Sequence, residues 1–167
     1  KTSSVSSDNS IKFTTANENG QVIVDEGKTN QFKYTENINA AYINFSSQLG
    51  KTSVQLGLRG EQTVAKGNQI TTDSTFTRRY VQLFPNVAVQ RNINAKNQLA
   101  FTYSRRIDRP NYEDLNPFLY FLDPYTYQVG NPYLKPQFTN NLELTHTFNN
   151  FLNTTVNYSH TDNGMME

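Results

Sequence analysis

The 167-residue chain contains no cysteine, no tryptophan and only two methionines. Without cysteine there is no disulfide framework, no thiolate metal site and no Cys nucleophile. Charge of one sign is also lacking: 15 Lys plus Arg face 14 Asp plus Glu, a formal net charge of +1. A nucleic-acid protein would carry a basic excess or stripe to neutralise phosphates, so nucleic acid is not among the expected partners. No apolar run approaches about 18 residues, which excludes a transmembrane helix but leaves a transmembrane strand open. Long segments with three-four apolar spacing and caps are missing too. Catalytic motifs are absent: no Gly-x-Ser-x-Gly elbow, no His-Glu-x-x-His, no phosphate-cradling glycine loop. The expectation is a protein that is not an enzyme and needs no cofactor or metal. Neither end reads as a natural terminus, since the chain opens on Lys1-Thr2-Ser3 and stops just past a strand-like run at Asp162-Asn163-Gly164. A piece of a longer protein is therefore expected, with signal peptide and any other targeting segment outside it.

What the chain does have is aromatic residues, 13% of the total as 10 Tyr and 11 Phe, which sets it apart from disordered compositions. Period-two alternation dominates. Leu99, Phe101 and Tyr103 oppose Gln98, Ala100, Thr102 and Ser104; Leu142, Leu144 and Phe148 oppose Asn141, Glu143, Thr145 and Thr147. Likewise Leu152, Val156 and Tyr158 oppose Asn153, Thr155, Asn157 and Ser159, and Val54, Leu56 and Leu58 oppose Ser53, Gln55, Arg59 and Glu61. Strands with two such different faces lie between an apolar and a wet phase. The fold class read from this is all-β, an antiparallel meander of seven long strands over about 1–13, 32–47, 52–64, 79–91, 97–107, 138–148 and 152–162. Their length suits a tilted membrane-spanning strand, which needs about 9–11 residues. Long polar connections at about 14–31, 65–78 and 108–137 alternate with short turns at 48–51, 92–96 and 149–150. Outer-membrane barrels sort their connections in this way, with long loops on one side and short turns on the other.

A block of motifs is familiar: Ser104-Arg105-Arg106-Ile107-Asp108-Arg109-Pro110, then Asp114-Leu115-Asn116-Pro117-Phe118, Asp123-Pro124-Tyr125-Thr126-Tyr127 and Gly130-Asn131-Pro132-Tyr133-Leu134-Lys135-Pro136. Upstream stand Asn39-Ala40-Ala41-Tyr42-Ile43-Asn44-Phe45, Gly57-Leu58-Arg59-Gly60-Glu61 and Leu83-Phe84-Pro85-Asn86. Together they resemble the barrel signature of the TonB-dependent-receptor-like outer-membrane β-barrel family common in Bacteroidota. Gln137 stands where that family usually has Glu, a conservative departure. The resemblance implies a segment of a larger barrel of about 22 strands with a separate plug. It implies the outer membrane of a Gram-negative bacterium, with membrane lipid, the remaining strands and plug, TonB acting through that plug, and a transported ligand as partners. The ligand would be bulky: a metal chelate, a glycan or a peptide. An isolated piece with seven strands is expected to hide its edges by closing into a small barrel or sandwich, or by pairing edge to edge. The rival reading is a soluble β-domain that binds glycan or mediates cell-surface adhesion through the 108–137 loop. The two readings differ over Leu99, Phe101, Leu142, Leu144, Val156 and Tyr158, lipid-exposed in the first and buried in the second.

The candidate ligand-binding residues are Arg106, Arg109, Tyr112, Tyr120, Tyr125 and Tyr127. Arg105, Arg106 and Arg109 with Asp108 would form a charged rim that attracts an anion; the alternative is that they pair with Glu61, Glu113 or Asp114. By alternation Arg106 belongs to the polar face, and Arg105 to the apolar one, near the interface where it can snorkel. Tyrosines framed by prolines can stack on sugars or chelate rings; alternatively Phe118, Tyr120 and Phe121 form the loop's own core or an aromatic girdle. The carboxylates Asp108, Glu113, Asp114 and Asp123 admit glycoside hydrolysis only as a remote reading. Asp25-Glu26 and Asp73 offer too few oxygens for Ca²⁺. His146 should pair with about residue 153 across the last turn, which puts His160 too far away to share a metal.

Overall fold

The computed structural model describes the chain except Glu26, Thr72, Phe118, Pro124 and residues 165–167, and describes Phe121 by its backbone alone. The expected contribution of Phe118 and of the Phe121 side chain to a loop core therefore lies outside the described residues, as does Glu26 in the Ca²⁺ reading. Eleven strands follow in order: β1 (Thr2–Ile11), β2 (Thr14–Ala16), β3 (Val22–Val24), β4 (Asn30–Leu49), β5 (Thr52–Gln69), β6 (Ser74–Asn94), β7 (Asn97–Asp108), β8 (Leu119–Phe121), β9 (Tyr127–Val129), β10 (Gln137–Phe148) and β11 (Leu152–Asp162). No helix occurs among the described residues.

Seven of these strands form one sheet in the order β1-β4-β5-β6-β7-β10-β11, a meander in which the small hairpins β2–β3 and β8–β9 sit inside the long connections. The all-β meander read from the alternation is thus the observed one. β1 and β11 each have a single neighbour in that order, so the expected closure of an isolated piece into a small barrel does not occur among the described strands. The chain divides into two compact units, one of Lys1–Asn39, Gln62–Tyr80 and Pro110–Leu134, the other of Ala40–Glu61, Val81–Arg109 and Lys135–Glu167. The first holds the two long connections and the four-residue connection 70–73, the second the other short turns.

The second unit explains why these strands form. Val89, Phe101, Leu144 and Val156 are aligned partners across β6, β7, β10 and β11, and so are Val87, Tyr103, Leu142 and Tyr158. On the alternate positions Asn92, Gln98, Thr147 and Asn153 are aligned in the same way. Their side chains bond along the row: Gln98 Nε2 donates to Asn92 Oδ1 at 2.8 Å, and Thr147 Oγ1 to Asn153 Oδ1 at 2.7 Å. Aligned pairs of this kind are the unit of sheet stabilisation. The β10–β11 turn places Asn149 and Asn150 at φ 52° and 54°, the left-handed pair that a tight hairpin needs and Asn tolerates. The strands close at Phe148–Leu152, so His146 faces Thr154 and His160 faces Asn140. The sequence reading of 153 for the His146 partner is off by one, because three residues rather than two make the turn.

The first unit corrects the 65–78 connection. β5 continues to Gln69 and β6 begins at Ser74, leaving only 70–73 between them. Thr63, Ala65, Gly67 and Gln69 alternate as buried residues in the same period as the rest of β5. Small or amide side chains stand there because the opposing space is filled. Phe32, Tyr34, Ala65 and Leu115 form a buried cluster with Phe76, Tyr112 and Leu134 packed against it, and a Cβ on Gly67 would overlap the Phe76 ring.

Candidate functional site

Two constellations carry the chemistry, one in each unit. In the first, the connection 110–134 is built as a clamp. Asn111 N–H donates to Asp114 Oδ2 at 3.2 Å, Leu115 N–H to Tyr112 O at 3.3 Å and Asn116 N–H to Glu113 O at 3.1 Å, making a tight turn that points Leu115 into the core. The returning limb locks onto that turn: Gly130 N–H donates to Asn116 O at 2.9 Å and Asn131 N–H to Asp114 O at 2.6 Å. Only glycine fits at 130, because a Cβ would lie 2.6 Å from both of those carbonyl oxygens. Between the limbs the β8–β9 hairpin turns on Asp123, whose carboxylate accepts the Tyr125 N–H at 2.7 Å. That backbone hydrogen bond, with one from the Thr126 side chain, holds the Asp123 carboxyl below its ordinary value. Arg78 bonds the Leu134 carbonyl and lies 5.4 Å over the Phe76 ring, fixing the far end of the loop.

Tyr112 and Tyr120 come together in this unit, lining a cavity of about 310 Å³ with Asn9, Asn30, Glu113 and Gln128. Tyr112 is half-buried and donates its hydroxyl to Glu113 Oε1 at 3.0 Å. Tyr125 and Tyr127 are not part of that cavity; they stand exposed on the hairpin, 96% and 57% accessible. The loop acids are occupied locally: Glu113 by Tyr112, Asp114 by Asn111, Asp123 by Tyr125.

The second unit holds the arginines. Glu61 is buried and receives Arg109 Nη2 on Oε2 at 2.7 Å and Arg59 Nε on Oε1 at 3.2 Å. The Arg59 guanidinium also lies 4.9 Å over Phe84, which stacks on Phe138 at 6.5 Å, and Arg105 lies 4.9 Å over Phe138. The pairing of Arg109 with Glu61 is one of the two alternatives its sequence position left open. Arg106 remains exposed and borders a cleft of about 430 Å³ with Arg59, Phe84 and Tyr42. Arg105 departs from the interfacial snorkelling that alternation alone assigns it. It is half-buried, reaching Leu83 O at 3.4 Å and Gln82 Oε1 at 3.5 Å, because a cation over an aromatic face keeps its charge compensated. His146 bonds Asn97 at 2.9 Å and His160 bonds Asp162 at 3.2 Å.

Sequence reasoning missed the Phe84–Phe138 stack, the Phe32–Phe76 stack (6.5 Å) and the buried Asn30–Gln69 pair (2.5 Å). The signal was present for Gln69, which continues the odd-numbered inward phase of β5. For the stacks no local pattern exists, since the partners are 54 and 44 positions apart in sequence.

The six residues that separate the two readings are all exposed, from 37% for Leu99 to 67% for Val156. One face of the sheet in the second unit is thus apolar and open, while the other carries polar rows. A water-soluble sandwich would bury such a face; a lipid-facing wall displays it. Strands of this patterning with long connections gathered at one end define a transmembrane β-barrel wall. The chain belongs to the outer membrane protein beta-barrel family, whose model matches residues 1–167. It is accordingly a protein of the outer membrane of a Gram-negative bacterium, and its lipid is a partner. No curated protein matches it.

Proposed function

We propose that the chain contributes wall and capture loops to a TonB-dependent-receptor-like transporter, of the kind common in Bacteroidota, that takes up a bulky ligand such as a metal chelate, glycan or peptide. The complete barrel would have about 22 strands and a plug through which TonB supplies energy. The role of these residues is binding and passage rather than catalysis. The observation that carries this reading is the 110–134 clamp: a long connection held by its own hydrogen bonds that nonetheless leaves Tyr120, Tyr125, Tyr127 and Tyr133 accessible. Loops longer than about 12–15 residues that are this ordered are usually functional. Tyr112, Tyr120, Tyr125 and Tyr127 meet the ligand; Arg106 supplies a free-standing cation at its cleft, and Arg109 acts through Glu61.

The test is uptake by a Gram-negative host carrying the full-length protein, with and without an intact TonB system. Deleting 119–129 should leave the protein inserted and heat-modifiable on gels but abolish growth on the transported nutrient. Equal uptake in TonB-deficient cells refutes the transporter reading, and equal uptake in cells with the deletion refutes the capture role of the loop.

A further inference from the structure

On β6 the odd positions point away from the side that Phe76, Arg78 and Tyr80 occupy, so Arg79 and Val81 are exposed between half-buried neighbours. From Arg79 this outward series reads Val81, Leu83, Pro85, Val87, Val89 and then Arg91, an unbroken apolar run between two arginines. At about 3.3 Å per residue the two arginines stand about 40 Å apart along the strand. A strand tilted by about 35–45° turns that into about 30 Å along the membrane normal, the thickness of the hydrocarbon core. Arg79 and Arg91 therefore mark the two headgroup levels, and Arg79, on the side of the long connections, marks the outer one. β5 repeats the pattern: Val54, Leu56 and Leu58 lie on its outward face, which runs on to Lys66, exposed between buried Ala65 and Gly67. Gly67 faces Phe76 and Gly60 faces Leu83, one antiparallel register that sets Lys66 beside Thr77 and Val64 beside Arg79. The two cations are thus diagonal neighbours, within reach of one common group. Among the described residues neither side chain has an ion-pair or hydrogen-bond partner. By contrast Lys33 is held by Asp8 at 3.5 Å, and Arg78, on the opposite face, bonds the Leu134 carbonyl.

We infer that Lys66 and Arg79 form a docking site for the phosphate groups of the outer-leaflet lipid, the phosphorylated glycolipid lipid A. The charges match: two uncompensated cations on the lipid side of the ribbon meet an anion carried at the same depth. Their long stems can follow the apolar surface while the charged heads stay level with the phosphates. Thr77, exposed beside Lys66, adds a hydroxyl donor. Arg91, at the other headgroup level, meets the inner leaflet instead. A zwitterionic headgroup brings its own ammonium to the site, and a free phosphate lacks the acyl chains that Val64, Val81 and Leu83 would contact. The site is separate from the transporter reading, since neither cation lines the cavity beneath the capture loop.

The experiment titrates the full-length protein in detergent with lipid A and reads the lipid-bound species by native mass spectrometry. Lipid A stripped of its phosphates, phosphatidylethanolamine and inorganic phosphate are titrated alongside. Lipid A is expected to bind best. Lys66→Gln and Arg79→Gln should each weaken it about fivefold and the two together about thirtyfold. Arg79→Lys should retain most of the binding, and Arg91→Gln should leave it unchanged. Dephosphorylated lipid A should bind the unaltered protein no more tightly than lipid A binds the double variant. Equal binding of dephosphorylated lipid A, an equal loss in Arg91→Gln, or a double variant that binds as the unaltered protein does overturns the inference. Inorganic phosphate binding that the two substitutions abolish while lipid A binding survives marks a free-phosphate site and overturns it too. The phosphate comparison uses the unaltered protein, so it decides the matter if the double variant fails to insert.

Discussion

Glu61 is the residue on which most charge converges. It is buried and held between Arg59 and Arg109, of which the second is itself mostly buried. Breaking a buried pair leaves an uncompensated charge and costs about 3–5 kcal/mol, and Arg59, half in water, softens that figure. Glu61→Gln is therefore expected to destabilise the folded protein by about 2–3 kcal/mol in urea unfolding from lipid vesicles. Arg109→Lys should cost less but more than an exposed substitution, since a point charge replaces a planar fork. At Gly67 the constraint is steric: Gly67→Ala drives a methyl into Phe76 and is expected to cost about 1–3 kcal/mol by the same measurement. The position of Glu61 in the apolar-polar alternation was legible, as was its candidacy as an arginine partner. The aromatic rings that carry Arg59 and Arg105 were not, because cation–π contacts join residues on different strands and leave no spacing in the sequence.

Among the elements, β10 makes the two-faced design testable within two adjacent residues. Leu144 lies in the row with Phe101 and Val156, whereas Thr145 bonds Thr155 at 2.9 Å on the other face. Leu144→Arg is expected to cost about 2–4 kcal/mol in a bilayer, and Thr145→Arg far less, when both are unfolded by urea in the same vesicles. Equal costs would mean that neither face meets lipid. The β8–β9 hairpin responds to acid instead. The Asp123 carboxyl is depressed in the folded protein, so its contribution is present above its ordinary value of 3.8 and is lost as the pH falls through the lower folded value. The protection factor of the Tyr125 amide, its exchange rate corrected for the intrinsic pH dependence, should fall below that ordinary value and be unchanged from there to neutrality. Strand identity was legible wherever large apolar residues alternate. It failed over 65–78, where Ala65, Gly67 and Gln69 alternate by burial but not by hydropathy, and read as loop because the residues that cover them, Asn30, Phe32, Phe76 and Leu115, stand elsewhere in the chain.

The whole molecule has β1 and β11 as edge strands with one neighbour each, and an exposed apolar face in the second unit. Such surfaces associate in water. On size exclusion with light scattering this chain should appear as oligomers or aggregates in plain buffer and become smaller in detergent; a monodisperse monomer without detergent would contradict the lipid-facing assignment. The sheet order could be read from the period-two alternation of consecutive strands. The clamp could not, since its hydrogen bonds join Asp114 and Asn116 to a limb about fifteen residues away. β5 and β6 run 18 and 21 residues, where about 9–11 cross a bilayer. The surplus over 62–80 is paired ribbon on the side that, in outer-membrane barrels, faces the outside world. An antibody arriving there is expected to need both antiparallel strands for its epitope, and an antiserum raised against the linear peptide 65–78 is expected to stain intact cells weakly.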